Sequence, residues 1–197
     1  MATNKHYTVP YRRKREGVTD YVKRRRLLIS GQPRLVVRRY LDNFTVQFVS
    51  YKPAGDVTLL SASAQELAKS FGLLAHKGSL SVAYLVGYLA GKKALKSGQK
   101  KAIADFGRLR AQKGSSLFAA LKGALDAGVT IPCSTEALPS VERIQGQVVA
   151  AYAASLLHSD KDKYQRQFSG YLRRGFAIDK LPAHLQEVKG RIDTIWR

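Results

Sequence analysis

Two runs of four consecutive cations, Arg12-Arg13-Lys14-Arg15 and Lys23-Arg24-Arg25-Arg26, stand near the start of the chain, and Arg38-Arg39 follow them. Residues 1–40 hold twelve Lys or Arg against only Glu16 and Asp20, a net of +10, which is half of the excess of +20 carried by all 197 residues. The chemistry open to such a stretch is phosphate binding. A guanidinium fork matches two phosphate oxygens at once, which an ammonium does not. A segment this charged repels itself unless a polyanion neutralises it, and nucleic acid is the obvious polyanion. One short basic run is more often a solvated face or an import signal. Three clusters with Tyr7, Tyr11 and Tyr21 among them favour nucleic acid, because tyrosine rings stack on bases and sugars.

Other chemistry finds little support. His6, His76, His158 and His184 lack the spacing of metal ligands. Neither of the glycine-rich loops that cradle phosphates, GxxxxGK[ST] or GxGxxG, occurs. Asp105-Phe106-Gly107 spells a kinase metal-binding triplet without any of the motifs that give it meaning. The simpler expectation is that Asp105 ends a buried strand and pairs with Arg108 or accepts backbone N–H groups. Cys133 is the only cysteine, so no internal disulfide forms and a reducing, intracellular setting is expected. The fourteen acids include no convincing general acid–base pair. The N-terminus has no apolar signal core, and the apolar run from Leu80 to Ala90 is too short to span a bilayer. Gly87 within it and Gly91 just after it form a GxxxG, which in a soluble helix means close packing.

The cations need elements to position them. Residues 1–18 read as an extended, polar arm. Thr19 or Asp20 caps a basic helix, with Gly31 past its end. Residues 34–40 and 44–51 alternate as antiparallel strands around the turn Leu41-Asp42-Asn43, and Val57 to Ser61 makes a third strand after Pro53-Ala54-Gly55-Asp56. On the sheet Arg34, Val36 and Arg38 share one face, which is either an RNA-facing surface or an ordinary solvated one. Ser63 and Glu66 form a capping box for a helix to about Ser70. Ser79 or Ser81 caps a long helix to about Ser97, in which Tyr84 and Tyr88 belong to the core. Lys100-Lys101 precede a short strand at 103–106. Residues 107–114 form a basic loop with Arg108, Arg110 and Lys113, and Ser115-Ser116 caps a helix closed by Gly128.

Pro132 and Pro139 bracket a boundary. Beyond it Ser140 caps a helix to about Leu157, a shorter helix covers 160–168, and Pro182 starts a last helix running towards Trp196. The expected class is α/β, a mixed sheet with an antiparallel meander packed against helices, preceded by a basic N-terminal arm and followed by a helical C-terminal extension. The expected parts are 1–33 for the basic arm and helix, 34–131 for the α/β core, and 132–197 for an extension that drapes on a partner. The hydrophobic content of 45% is enough for a true core despite a pI near 10.3.

The stretch from Tyr11 to Arg39, YRRKREGVTDYVKRRRLLISGQPRLVVRR, with FAALKGALDAGVTIP, LPSVERIQGQ and FSGYLRRG after it, resembles the large-subunit ribosomal protein family that binds 5S rRNA, called L-eighteen in bacteria and archaea and L-five in eukaryotes. The likeness runs from about Tyr7 to Ile192, and the segment Leu138 to Gly175 points to the archaeal branch. It departs from the family pattern in a C-terminal segment poorer in acids, including Gly146-Gln147-Val148. The resemblance implies a cytoplasmic, non-enzymatic protein of the large ribosomal subunit. It would attach 5S rRNA to the 23S-type large-subunit rRNA in the central protuberance, beside a neighbouring 5S-binding ribosomal protein, with no cofactor and no membrane partner. The RNA-binding residues it implies are Tyr11, Arg12, Arg13, Lys14 and Arg15, then Lys23, Arg24, Arg25 and Arg26, then Arg34 and Arg38, and Tyr21 joins them from its place among the basic clusters. Lys92, Lys93, Lys100, Lys101, Arg108, Arg110 and Lys113 are weaker members of the set. The competing readings are an RNA-processing or RNA-modifying enzyme, and a generic basic or architectural nucleic-acid-binding protein.

Overall fold

The computed structural model describes residues 8–196, so His6 and Tyr7 lie outside the described residues. The arm expected to be extended contains a helical turn, α1 (Arg12–Arg15). Local pairing accounts for the difference: Arg12 Nε reaches Glu16 at 2.7 Å, Arg13 Nε donates to Thr19 Oγ1 at 2.8 Å, and Gly17 at φ +63° turns the chain. Next comes the basic helix α2 (Tyr21–Leu28). Of its two possible caps, Asp20 serves: its carboxylate accepts from the Val22 and Lys23 N–H groups at 3.0 Å. A negative charge there also suits the helix dipole.

Strands β1 (Arg34–Arg39), β2 (Phe44–Ser50) and β3 (Val57–Ser63) form the antiparallel meander, with Arg34 opposite Val49 and Val37 opposite Val46. Alternation sends Leu35, Val37, Phe44, Val46 and Phe48 into the core. Helix α3 (Ala64–Ser70) follows, its Glu66 N–H held by Ser63 Oγ. Helix α4 (Leu80–Lys96) is capped by Ser79, while Ser81 is buried and donates to the Arg143 carbonyl. Strand β4 (Ile103–Asp105) then lies parallel to β1, giving the order β3-β2-β1-β4 among the described residues.

Helix α5 (Ser116–Asp126) lies against α4. Ser115 occupies its cap position, but its hydroxyl makes no capping bond and is buried without a partner, contrary to the expected role. Glycine permits the close approach of the two helices. A Cβ on Gly87 would sit 1.9 Å from the Ala120 carbonyl oxygen, and one on Gly91 would sit 2.6 Å from the Ala127 Cβ. The GxxxG is therefore a packing device.

After Pro139 come α6 (Val141–Ile144), α7 (Gln147–Ser159), α8 (Lys161–Gln167), α9 (Ser169–Leu172) and α10 (Leu181–Ile195). The single helix expected from Ser140 to Leu157 is broken at Gly146, which takes φ +77° with Leu181 and Leu185 pressed against it. The extension does not wait for a partner throughout. Leu181, Leu185, Val188 and Ile192, spaced along one face of α10, are buried in the principal core with α4. Ala153, Leu156, Phe168 and Ile178 form a second, smaller cluster.

Candidate nucleic-acid interface

Helix α2 contributes no residue to the core, and polar side chains hold it to the sheet. Arg24 meets Asp56 through two bonds, Nη1 to Oδ2 at 2.8 Å and Nη2 to Oδ1 at 2.7 Å. Asp56 Oδ2 also receives Arg34 Nη2 at 2.7 Å, and Arg34 Nη1 continues to Asp105 Oδ2 at 2.8 Å. The other oxygen of Asp105 accepts the Gly107 N–H at 2.8 Å, and Lys23 Nζ donates to the Gly107 carbonyl at 2.8 Å. A chain of alternating charges thus runs from the basic helix through the sheet to the 107–114 loop. The Arg24 guanidinium, with Arg34 behind it, holds the Asp56 carboxyl below the usual carboxylate range although burial opposes this. Asp56 in turn raises Arg24.

Between α2 and the sheet lies a cleft of about 640 Å³. Arg13, Arg38 and Arg108 line it together with Gln47, Val49 and Thr58. Arg38 approaches Gly107, and the Arg108 guanidinium approaches Gly17 at φ +63°. The fold therefore gathers α1, α2, the end of β1 and the start of the basic loop on one side. Tyr11 and Tyr21 belong to it, their ring centroids 5.3 Å apart, and Tyr11 is exposed.

The sequence-expected residues differ in what they can offer a phosphate. Arg12, Arg13, Lys14 and Arg15 are exposed on α1, and Arg25 and Arg26 are exposed on α2. Arg38, Arg108 and Arg110 are exposed as well. Lys23 and Arg24 turn inward to the partners just described. Arg34 is 4% exposed, with both terminal nitrogens on carboxylates. Asp105 pairs with Arg34 and not with Arg108, although it does accept a backbone N–H as expected.

Lys92 and Lys93 sit elsewhere, near the end of α4. Lys92 pairs with Asp193 at 2.9 Å, and Lys93 pairs with Glu66 and lies over the Trp196 ring. Lys100 and Lys101 are exposed just ahead of β4, at the opposite end of β1 from Arg38. Lys113 lies 3.4 Å from Glu136, with both side chains well exposed. The tyrosines expected in the core are there: Tyr84 bonds Asp126 at 3.0 Å and Tyr88 bonds Asp193 at 2.6 Å. Burial and the Asp126 carboxylate push the Tyr84 hydroxyl well above its ordinary range.

Sequence reasoning missed Asp56. A charge count treats an acid in a basic protein as a subtraction, and Pro53-Ala54-Gly55-Asp56 signals only a turn. No local pattern announces that Arg24, 32 residues away, and Arg34, 22 residues away, both end on it. Among the described residues no three His, Cys, Asp or Glu side chains gather to hold a metal ion, and no helix is long and apolar enough to cross a membrane. Burial raises the Cys133 thiol, which keeps it protonated and poorly nucleophilic.

The family model of ribosomal large subunit proteins 60S L5 and 50S L18 matches residues 5–103 of the 197. The matched segment contains α1, α2, the meander and the whole length of α4, and therefore most of the cationic side just described. The chain belongs to this family, and with it is an rRNA-binding structural constituent of the large ribosomal subunit.

Proposed function

We propose that the protein binds 5S rRNA and attaches it to the 23S-type large-subunit rRNA in the central protuberance, next to another 5S-binding ribosomal protein. The observation that carries this reading is the gathering of α1, α2 and Arg38, all within the family match, with Arg108 just beyond it, on one side of the sheet. Arg12, Arg13, Lys14, Arg15, Arg25 and Arg26 neutralise phosphates where RNA strands crowd together. Lys100, Lys101, Arg110 and Lys113 extend the contact, while Lys23, Arg24 and Arg34 hold the surface in shape. Tyr11 supplies a ring for stacking. Specificity comes from RNA tertiary form and loops, because the A-form major groove is closed to side chains. Residues 1–33 serve as the RNA-facing arm and helix, 34–131 as the α/β core, and 132–197 as the extension of the archaeal branch. The work is positional and not catalytic.

Titration of the pure protein with 5S rRNA, an unrelated folded RNA of the same length and duplex DNA, across a salt series, tests this. A steep salt slope from roughly 6–10 phosphate contacts is expected, with 5S rRNA preferred by orders of magnitude. A steep slope without preference would leave only a polyanion binder.

A further inference from the structure

We propose that Asp56, a carboxylate inside the cationic surface, is a positioning residue for RNA binding, and that it strengthens recognition of 5S rRNA by clamping α2 to the sheet. The inference rests on the RNA-binding reading above and reverses the sign that charge alone predicts. Removing one acid from a chain of net charge +20 should tighten its grip on any polyanion.

The geometry argues the opposite. Helix α2 has eight residues and buries none of them. Helices shorter than about 12–15 residues are marginal in water on their own. Apart from its Asp20 cap and the Lys23 bond to Gly107, what fixes α2 in place is Arg24, which is bidentate on Asp56 and lies 6.0 Å from the Tyr51 ring centroid. Asp56 is itself held by Arg34, which is buried and tied to Asp105. Asp105 holds the Gly107 N–H, and Gly107 leads into Arg108. One carboxylate therefore sets the spacing between Arg25 and Arg26 on the helix and Arg108 on the loop. A surface fixed before RNA arrives spares the complex the ordering entropy that a loose helix would cost on binding.

Asp56→Asn keeps the shape and removes the charge. In the full-length protein we expect the affinity for 5S rRNA to fall about tenfold, a change within the usual range of coupled charge pairs. Affinity for the unrelated folded RNA should hold or rise, and Asp56→Glu should recover part of the 5S affinity. Arg24→Gln, which leaves the buried Arg34 its carboxylates, covers the case in which Asp56→Asn folds poorly. The double variant should then lose less than the sum of the two single losses, because both changes break the Arg24–Asp56 clamp. Tighter 5S binding by Asp56→Asn, or additive effects in the cycle, would overturn the proposal while leaving the wild-type preference for 5S rRNA intact. A wild type with no such preference would overturn both readings.

Discussion

Gly87 lies so close to Ala120 that a Cβ on the glycine would fall 1.9 Å from the alanine carbonyl oxygen. Gly123 repeats the arrangement from the other helix, where a Cβ would meet the Tyr84 carbonyl oxygen at 2.1 Å. Backbone touches backbone here, so no flexible side chain can yield. Gly87→Ala should therefore cost about 3 kcal/mol or more, at the upper end of overpacking penalties, measured by urea unfolding. Gly190, inside α10 with open space around its Cα, is the internal contrast. Gly190→Ala should gain about 0.4–1 kcal/mol by restricting the unfolded chain.

The burial of α10 makes a second prediction. Ile192 is fully buried in the same core cluster as Leu89 and Phe48. Ile192→Ala should cost about 2–5 kcal/mol, as large-to-small core changes do. The loss should appear in global unfolding and not as fraying of the C-terminus. Trp196, the only tryptophan, sits at the end of α10 beneath Lys93 and Lys96 and reports the helix by fluorescence. Its transition and the far-ultraviolet circular dichroism transition should shift together. A fluorescence change that precedes the main transition would mean that α10 is an appendage.

Local patterns in the sequence carried much of this fold. The alternation of Phe44 to Ser50, the Ser79 cap and the glycine spacing of α4 are each determined within a few residues and form as expected, while of the Ser63–Glu66 box only the Ser63 half forms, because the Glu66 carboxylate goes to Lys93. What was hidden depends on long-range partners. Arg34 looks like any strand-start arginine until Asp105, 71 residues on, arrives beside it through the parallel pairing of β4 with β1. Gly146 reads as tolerable within a helix, because only the packing of Leu181 and Leu185 against it explains a break there. The candidate surface was legible as composition and illegible as geometry. The clusters stand out in sequence, but their division into outward and clamped cations depends on carboxylates far along the chain.

His184 gives the stability a pH dependence. Its Nε2 accepts the Leu74 N–H at 3.1 Å, and the ring lies beside Phe176, with centroids 5.1 Å apart. That hydrogen bond requires the neutral imidazole. Burial depresses the His184 pKa from the ordinary 6.5, opposed by nearby Glu187 and reinforced by Arg191. A depressed histidine binds its proton more readily when unfolded. Its contribution to stability is therefore complete above 6.5 and is lost as the pH falls through the window below that value. Thermal melts from neutral pH downward should show the wild type losing stability across this window. His184→Gln, which can still accept the Leu74 N–H, should lose less. Parallel curves for the two proteins would remove His184 as the cause.

The outward cations of α1 and α2 should separate binding from folding. Arg12 and Arg13 pair only with the nearby Glu16 and Thr19, and Arg12, Arg13 and Arg15 are all exposed, since α1 buries nothing. Replacing all three by Gln should weaken 5S rRNA binding about tenfold or more while the thermal midpoint barely moves, since surface changes of this kind stay within about 0.5 kcal/mol. Arg25 and Arg26 make the finer test. They stand beside Arg24 in sequence and carry the same charge, yet they are exposed while Arg24 is locked on Asp56. If each holds one phosphate, Arg25→Gln and Arg26→Gln should each lower the salt slope by about 0.7–0.9. Arg24→Gln should lower affinity for 5S rRNA with little change in slope, because its charge is already spent on Asp56. Equal slope changes for all three arginines would mean that RNA reaches Arg24 as freely as its neighbours, and the inward face of α2 would then have to open when RNA binds.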